Sequence, residues 1–387
     1  MKEQMSAYEL MCKLVSFPTI SRDTNIPLID WVEDYLVGHG IECHRYVDPN
    51  QPKHGLFAHV GPRTEGAVVL SGHTDVVPVD GQVWSSDPFA VIERDRKYFG
   101  RGTCDMKGFD ALAIWALVEA QKSGVARPLQ LALSFDEEVG CTGAPPLINA
   151  MQGVVPKGDL VIVGEPSSLR PVTGHKGGGG FSTHVQGFEV HSSLIDRGVN
   201  AIMYGSKLID WANDVNAANR NAPAAPLAAM FDPPYTTAHI GMISGGTAHN
   251  ITAKDCRFDM DFRVVPGESI AEWEQRYRAR VAEVEAAMQA VVPETRIEIA
   301  QKFDVPGLVP EEGGLAETLV RQLTGDNADH VVSYGTEAGH FQAGGYSAVV
   351  CGPGDIAQAH QPDEFITISE FDAGKRFMER LLTHCAA

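Results

Sequence analysis

The sequence predicts an α/β protein with a largely parallel sheet, interrupted by an inserted α+β unit. Three observations carry this. Short apolar runs bounded by glycine or polar residues, as buried strands read, occur at residues 66–72, 129–135, 159–164 and 347–352. An apolar helical run at residues 106–123 separates the first two, the strand–helix alternation of a layered α/β domain. From about residue 176 to 303 the pattern changes to alternating strands beside amphipathic helices, and buried-strand character returns only after Pro306. The expected first domain is therefore discontinuous, 1–175 with 304–387, and the insert is 176–303.

Each element has its local reason. Ser6-Ala-Tyr-Glu9 reads as a capping box, and Leu10, Met11, Leu14 and Val15 follow at helical spacing. A second helix is expected over 28–39, stopping at Gly40. The run Gly174-His-Lys-Gly-Gly-Gly-Gly180 marks the change of character. No Lys-Ser/Thr follows it and a strand comes next, so it reads as close packing at a domain junction rather than a phosphate loop. The insert should hold a strand at 181–187, a helix at 199–215, strands at 237–243 and 257–265, and a long helix at 270–292. That helix would place Val281, Val284, Met288 and Val291 on one face. A strand at 296–300 closes the insert.

Composition bounds the function. The 387 residues carry 50 acidic and 31 basic side chains, a net charge of −19, which would repel nucleic acid or an anionic membrane face. The longest apolar stretch, 111–118, is far short of the roughly 20 residues that span a bilayer. The polar start, 1–6, argues against secretion and for a cytoplasmic enzyme. Seven scattered cysteines, none spaced CxxC, read as reduced thiols rather than a disulfide framework or a cysteine zinc site.

Chemistry-bearing residues gather where strands are expected to end. The first strand ends in His73-Thr-Asp75, the second in Asp136-Glu137-Glu138 and the third in Glu165-Pro166; the fourth leads to His360. A glycine-rich loop adds Gly100-Arg-Gly-Thr-Cys-Asp105. Ligands of open α/β sheets bind beyond the carboxyl ends of the strands, where these loops converge. Singly, each residue has a plainer role: a hydrogen-bonded histidine, a solvated helix start, a turn, an Asx turn at Asp105, a buried structural thiol at Cys104. All the plain roles would have to hold at one sheet edge. So many carboxylates repel unless cations neutralise them. Imidazole plus carboxylate donors suit zinc, cobalt or manganese. One His and two carboxylates per ion, one carboxylate shared, would hold two ions about 3.5–4 Å apart and make hydroxide available near neutral pH.

These motifs carry a resemblance. Ser71-Gly-His73-Thr-Asp75-Val-Val-Pro78, the Gly100–Gly108 loop, Asp136-Glu137-Glu138-Val-Gly140 and Gly164-Glu165-Pro166 are similar to the aminoacylase/carboxypeptidase family of dizinc metallopeptidases. The resemblance implies a zinc-peptidase-like catalytic domain and an inserted lid and dimerisation domain, hence a homodimer. It implies two Zn2+, with Co2+ able to replace them. Asp105 would bridge the ions, Glu138 and His360 complete one site, and His73 and Glu165 the other. Asp75 would orient His73, and Glu137 would be the general base and then the general acid. From the insert, His191 would donate to the oxyanion in the partner's site, while Asn250 and Arg263 hold the substrate α-carboxylate. Tyr334-Gly-Thr-Glu337-Ala338 and the run from Gly352 through His360 to Glu364 narrow the implied substrate, a small N-acyl amino acid, to N2-acetyl-L-ornithine. Its hydrolysis would yield L-ornithine and acetate in arginine biosynthesis, with Glu337 facing the δ-ammonium group. Succinylated diaminopimelate and glutamate-ending peptides are the competing substrates.

Overall fold

A computed structural model describes residues 3–386. In chain order it holds α1 (Ala7–Val15), α2 (Ile26–Gly38), β1 (Glu42–Val47), β2 (His54–Val60), β3 (Ala67–His73), β4 (Ile92–Arg94), β5 (Lys97–Phe99), α3 (Lys107–Ser123) and β6 (Leu129–Ser134). There follow α4 (Ala144–Val154), β7 (Gly158–Pro166), β8 (Val172–His175), β9 (Gly177–Gln186), α5 (Ala201–Asn221), β10 (Thr237–Gly245), β11 (Asp255–Val264), α6 (Ile270–Gln289) and β12 (Arg296–Val305). The chain closes with α7 (Leu315–Thr324), β13 (His330–Val332), α8 (Ala338–Ala343), β14 (Ser347–Gly352), β15 (Phe365–Thr367) and α9 (Ile368–Ala386). Contacts group them into two compact units. One comprises the chain up to Gly174, Pro310–His330 and the chain from Thr336; the other is His175–Val309 with Val331–Gly335.

The first unit is built on an eight-stranded sheet ordered β1-β2-β6-β3-β7-β14-β8-β13. Its four central strands, β6, β3, β7 and β14, run parallel. Every residue of β3 and β6 is buried, as a sheet covered on both faces requires. The outer pairs β1–β2, β2–β6 and β14–β8 are antiparallel, so the parallel character is confined to the centre. α1 starts at the expected box: Ser6 Oγ accepts the Glu9 N–H and Glu9 accepts the Ser6 N–H. α3 is buried nearly all round and packs on α1, α9 and the sheet. A separate small sheet, β15-β5-β4, lies beside the loop that begins at Gly100.

The second unit is a four-stranded antiparallel sheet, β10-β11-β9-β12, with α5 and α6 packed on it. The four glycines expected to pack closely at the junction open β9, just past the boundary at His175. Their lack of side chains is used there: a Cβ on Gly180 would lie 2.3 Å from the Phe303 ring, and one on Gly179 2.7 Å from Ile270. α6 stops at Gln289, leaving Val291 beyond the helix and 43% exposed, whereas Val281, Val284 and Met288 are buried. Among the described residues no helix is long and apolar enough to cross a membrane.

Candidate metal centre

The register of the central strands assembles the site. His73 at the end of β3 pairs with Ser134 at the end of β6, and Ser71 pairs with Val163 of β7, two residues before Glu165. Three strand ends therefore deliver His73, Asp136-Glu137-Glu138 and Glu165 side by side. Asp105 comes from the loop before α3, and His360 from the loop between β14 and β15.

His73 is fully buried. Its Nδ1 lies 2.9 Å from the Asp75 carbonyl and 3.5 Å from Asp75 Oδ1. A carbonyl only accepts, so Nδ1 carries a hydrogen, which reserves Nε2 for the cluster: for a proton without metal, for an ion with it. Nε2 is 3.1 Å from Asp105 Oδ1 and 3.6 Å from Glu165 Oε1. On the other side of Asp105, His360 Nε2 is 3.1 Å from Asp105 Oδ2 and 3.1 Å from Glu138 Oε2. The two Asp105 oxygens thus face different imidazoles, as a shared carboxylate should. Donor atoms of His73, Asp105 and Glu138, and of His73, Glu137 and Glu165, lie within 4.8 Å of one another.

The electrostatics fit divalent cations. Burial, with Asp105 and Glu137 nearby, pushes the Glu165 carboxyl well above its usual range, and Glu165 Oε1 is buried with no hydrogen-bond partner. Burial, reinforced by Glu138, Asp105 and Glu337 against the pull of His73, pushes Glu137 up to about 8. Hydrogen bonds to Asp105 and Glu138 raise His360 to about 10. The cluster thus draws positive charge onto its histidines and protons onto its acids. Two cations would relieve both tendencies at once. Nitrogen and carboxylate donors are the set such ions take.

Asp75 organises the rim. Besides His73, its carboxylate accepts the Glu137 N–H at 3.2 Å, the Glu138 N–H at 3.4 Å and the Ser21 hydroxyl at 2.7 Å. The neighbouring Asp136 is held by Lys53 in a buried ion pair. Cys104 is buried and its thiol is pushed well up by burial, which fits the structural role expected of it.

Glu337 lies within electrostatic reach of Glu137 and His73. Expected to face a substrate cation, it is 1% exposed, and its carboxyl accepts the hydroxyls of Ser134 and, at 3.1 Å, Ser71. The turn into α8 aims it beneath the ends of β3 and β6, where those serines are the available donors. Glu337 is the N-cap residue of α8 but its side chain makes no cap bond; the Thr336 hydroxyl accepts the Ala338 N–H at 3.1 Å.

In the second unit, His191 and Asn250 are neighbours: His191 bridges to Ile251, and Ser192 N–H donates to the Asn250 carbonyl. Both are exposed. His191 Nδ1 lies 2.8 Å from Ser193 Oγ, which leaves Nε2 free. Arg263, on β11, pairs with Asp261 at 3.2 Å and stays 44% exposed.

Sequence reasoning missed the supports: Ser21, Lys53, and a buried group formed by Arg101 and Glu364. Only the last had a signal, since both residues lie within the quoted motifs.

A sheet whose strand ends present paired imidazoles and a shared carboxylate defines a metal-dependent hydrolase. The chain belongs to peptidase family M20/M25/M40, whose sequence model matches residues 69–384. It is 35% identical over 388 residues to the acetylornithine deacetylase of Photorhabdus laumondii subsp. laumondii, covering 97% of this chain and 96% of that one. With the acetylornithine deacetylase of Myxococcus xanthus it shares 32% identity, covering 97% and 96%. The M20 family metallo-carboxypeptidase Sso-CP2 of Sulfolobus solfataricus has the same fold: TM-score 0.80 at 16% identity, covering 98% of this chain and 99% of that one. So does a tripeptidase of Staphylococcus aureus, at TM-score 0.75 and 16% identity, covering 98% of each chain.

Proposed function

We propose that this hydrolase cleaves the amide bond of N2-acetyl-L-ornithine, releasing L-ornithine and acetate for arginine biosynthesis in the cytoplasm. The observation that carries the substrate is the identity of 31–35% over nearly the whole chain to relatives named acetylornithine deacetylase. His73, Asp105, Glu138, Glu165 and His360 would hold two zinc ions, with cobalt a working substitute. When bound, such ions polarise an acyl carbonyl and acidify water near neutral pH.

Residues of the chain do the rest. Asp75 holds His73 in one tautomer and fixes the backbone of Glu137 and Glu138, so these adjacent carboxyls take different directions and different tasks. Glu137 Oε1, which accepts the Cys141 thiol at 3.2 Å, takes the proton from the attacking water. It then delivers that proton to the leaving amine nitrogen. His191, with its free Nε2, donates to the oxyanion from the partner subunit. Asn250 and Arg263 hold the α-carboxylate.

On this reading residues 176–303 form the lid and dimerisation domain, and 1–175 with 304–387 the catalytic one. Support for a homodimer comes from the second unit. Its edge strand β10 is largely exposed, and Phe188, Ile202, Met203, Met242 and Ile243 are large apolar side chains left in solvent. A hydrolysis panel tests the proposal: acetylornithine, acetylglutamate, acetylmethionine and succinyl-diaminopimelate, each with and without added metal. Metal-dependent acetate release, fastest from acetylornithine, is expected. Faster cleavage of the succinylated substrate would make this a desuccinylase of the same family.

A further inference from the structure

We infer that Glu364, Arg101 and Gln82 form a clamp that positions Asp105 and His360 together as ligands of one ion. The inference rests on the ligand assignment above. Glu364 is fully buried and the loop before α3 wraps around it. Its Oε1 accepts three backbone N–H groups: Gly102 at 2.9 Å, Cys104 at 3.1 Å and Asp105 itself at 3.1 Å. Its own carbonyl accepts the Gly100 N–H at 2.9 Å. The loop is thus an anion cradle filled by the chain's own carboxylate. Glu364 Oε2 takes Arg101 Nη1 at 2.6 Å, and this pair has no solvent to screen it.

From Arg101 the network crosses to the other ligand. Arg101 Nη2 donates to Gln82 Oε1 at 2.7 Å, and Gln82 Nε2 donates to the His360 carbonyl at 3.1 Å. One end of the chain of contacts is therefore the amide of Asp105 and the other is the carbonyl of His360. Pairing of β15 with β5 supplies the frame, placing Phe365 opposite Phe99 and hence Glu364 beside Gly100.

His360 needs such a support. Its backbone is left-handed, at φ 62°, which a side chain with a Cβ adopts only where its surroundings impose it. Most of residues 355–362 are exposed, so core packing does not place this loop. Polar tethers do: Gln82 at the His360 carbonyl, Ser85 N–H at Asp363 Oδ1 and Gln358 at Glu370, of which the first acts on His360 itself. The same buried carboxylate shapes the backbone on which Asp105 is mounted, so one device sets both donors that face each other across 3.1 Å.

The test compares the full-length protein with Gln82→Ala and Glu364→Gln. Zinc affinity is read at both sites by chelator competition, the absorption spectrum is recorded with cobalt loaded, and melting is followed without metal. Gln82→Ala removes no buried charge but leaves Arg101 Nη2 without this acceptor, so its metal-free melting should fall only modestly. One of its two ions should bind about 10–100-fold more weakly, as loss of a support outside the ligands typically costs, with an altered cobalt spectrum and the other ion unchanged. Glu364→Gln keeps an oxygen for the three amides but loses its charge against Arg101; because Asp105 is the shared carboxylate it should weaken both ions, the one held by His360 more than the other. Both ions held as tightly as in the parent would overturn the clamp. So would equal weakening of both in step with a fall in metal-free melting, the mark of a merely structural role. A parent that fails to bind two ions would instead refute the ligand assignment.

Discussion

At the scale of single residues, adjacent carboxyls are separated into different roles by what holds them. Glu138 faces His360, whereas Glu137 is half-buried and its carboxyl accepts the Cys141 thiol. Replacing Glu137 by Gln keeps shape and burial but removes the site that accepts a proton. Metal analysis should still find two ions, while kcat for acetylornithine falls about 10²–10⁴-fold, the usual worth of general acid–base catalysis. Two ions with near-normal kcat would reject the role. A second residue predicts an acid response away from the metal centre. Burial lowers His340 to about 4, and among the described residues its Nε2 has no hydrogen-bond partner. The unfolded chain, whose histidine titrates near 6.5, therefore binds a proton over the window from about 6.5 to 4 while the folded chain does not. Stability must fall as pH drops through that window and level off below it. At about 1.4 kcal/mol per unit the loss reaches up to about 3 kcal/mol. Denaturant melts of His340→Leu at pH 7 and pH 4 should show a smaller acid loss than the parent; an equal loss would contradict this.

At the scale of elements, β14 meets β7 where a glycine leaves no room for a side chain. A Cβ on Gly352 would lie 1.9 Å from the Gly164 carbonyl oxygen and 2.6 Å from that of Glu165. Both obstacles are backbone, so no rotamer change can make room. Gly352→Ala should destabilise by at least the about 1–3 kcal/mol of ordinary overpacking, and shift Glu165 enough to weaken metal binding. Urea unfolding and metal titration of that variant check both; a full-strength metal site in a stable variant would show that the strands can part. The same glycine was readable in advance only as a strand boundary. That is a fair measure of what was legible. β3, β6, β7 and β14 stood out because buried parallel strands are short apolar runs, and their ends carried His73, Glu137, Glu138 and Glu165 in plain view. β1 and β2 did not stand out. β1 is half-exposed, without alternation, and owes its conformation to pairing with β2. The site's supports were hidden for the same reason. Glu364 and Arg101 stand 263 positions apart, and nothing local tells a carboxylate that cradles a loop from one that faces water. The motif of Glu337 shows its charge but not the serines, Ser71 and Ser134, that its carboxyl accepts from.

At the scale of the whole molecule, the acidic balance and the exposed apolar side chains point to different surfaces. A net charge of −19 keeps copies of the chain apart unless a matched apolar face overcomes the repulsion. The second unit carries such side chains around His191. Phe188 pairs in a bridge with Val199, three residues before Ile202, and Ile251 bridges to His191 itself. A two-fold interface on this face would bring His191 of one subunit toward the other, and this makes a sharp test. On the proposed reading His191→Ala would lack the oxyanion donor, worth roughly 10²–10³ in kcat, and Glu137→Gln would lack the base. Alone, each should be nearly inactive. In a mixed dimer, one site combines an intact Glu137 from the first variant with an intact His191 from the second. Random exchange at equal amounts makes half the dimers mixed with one complete site each, so activity should return to about a quarter of the parent's. Differently tagged subunits, co-purified after mixing, verify exchange. Verified exchange with no recovered acetate release would place His191 outside the partner's chemistry. Recovery at the predicted level would require that each active site be built from two chains.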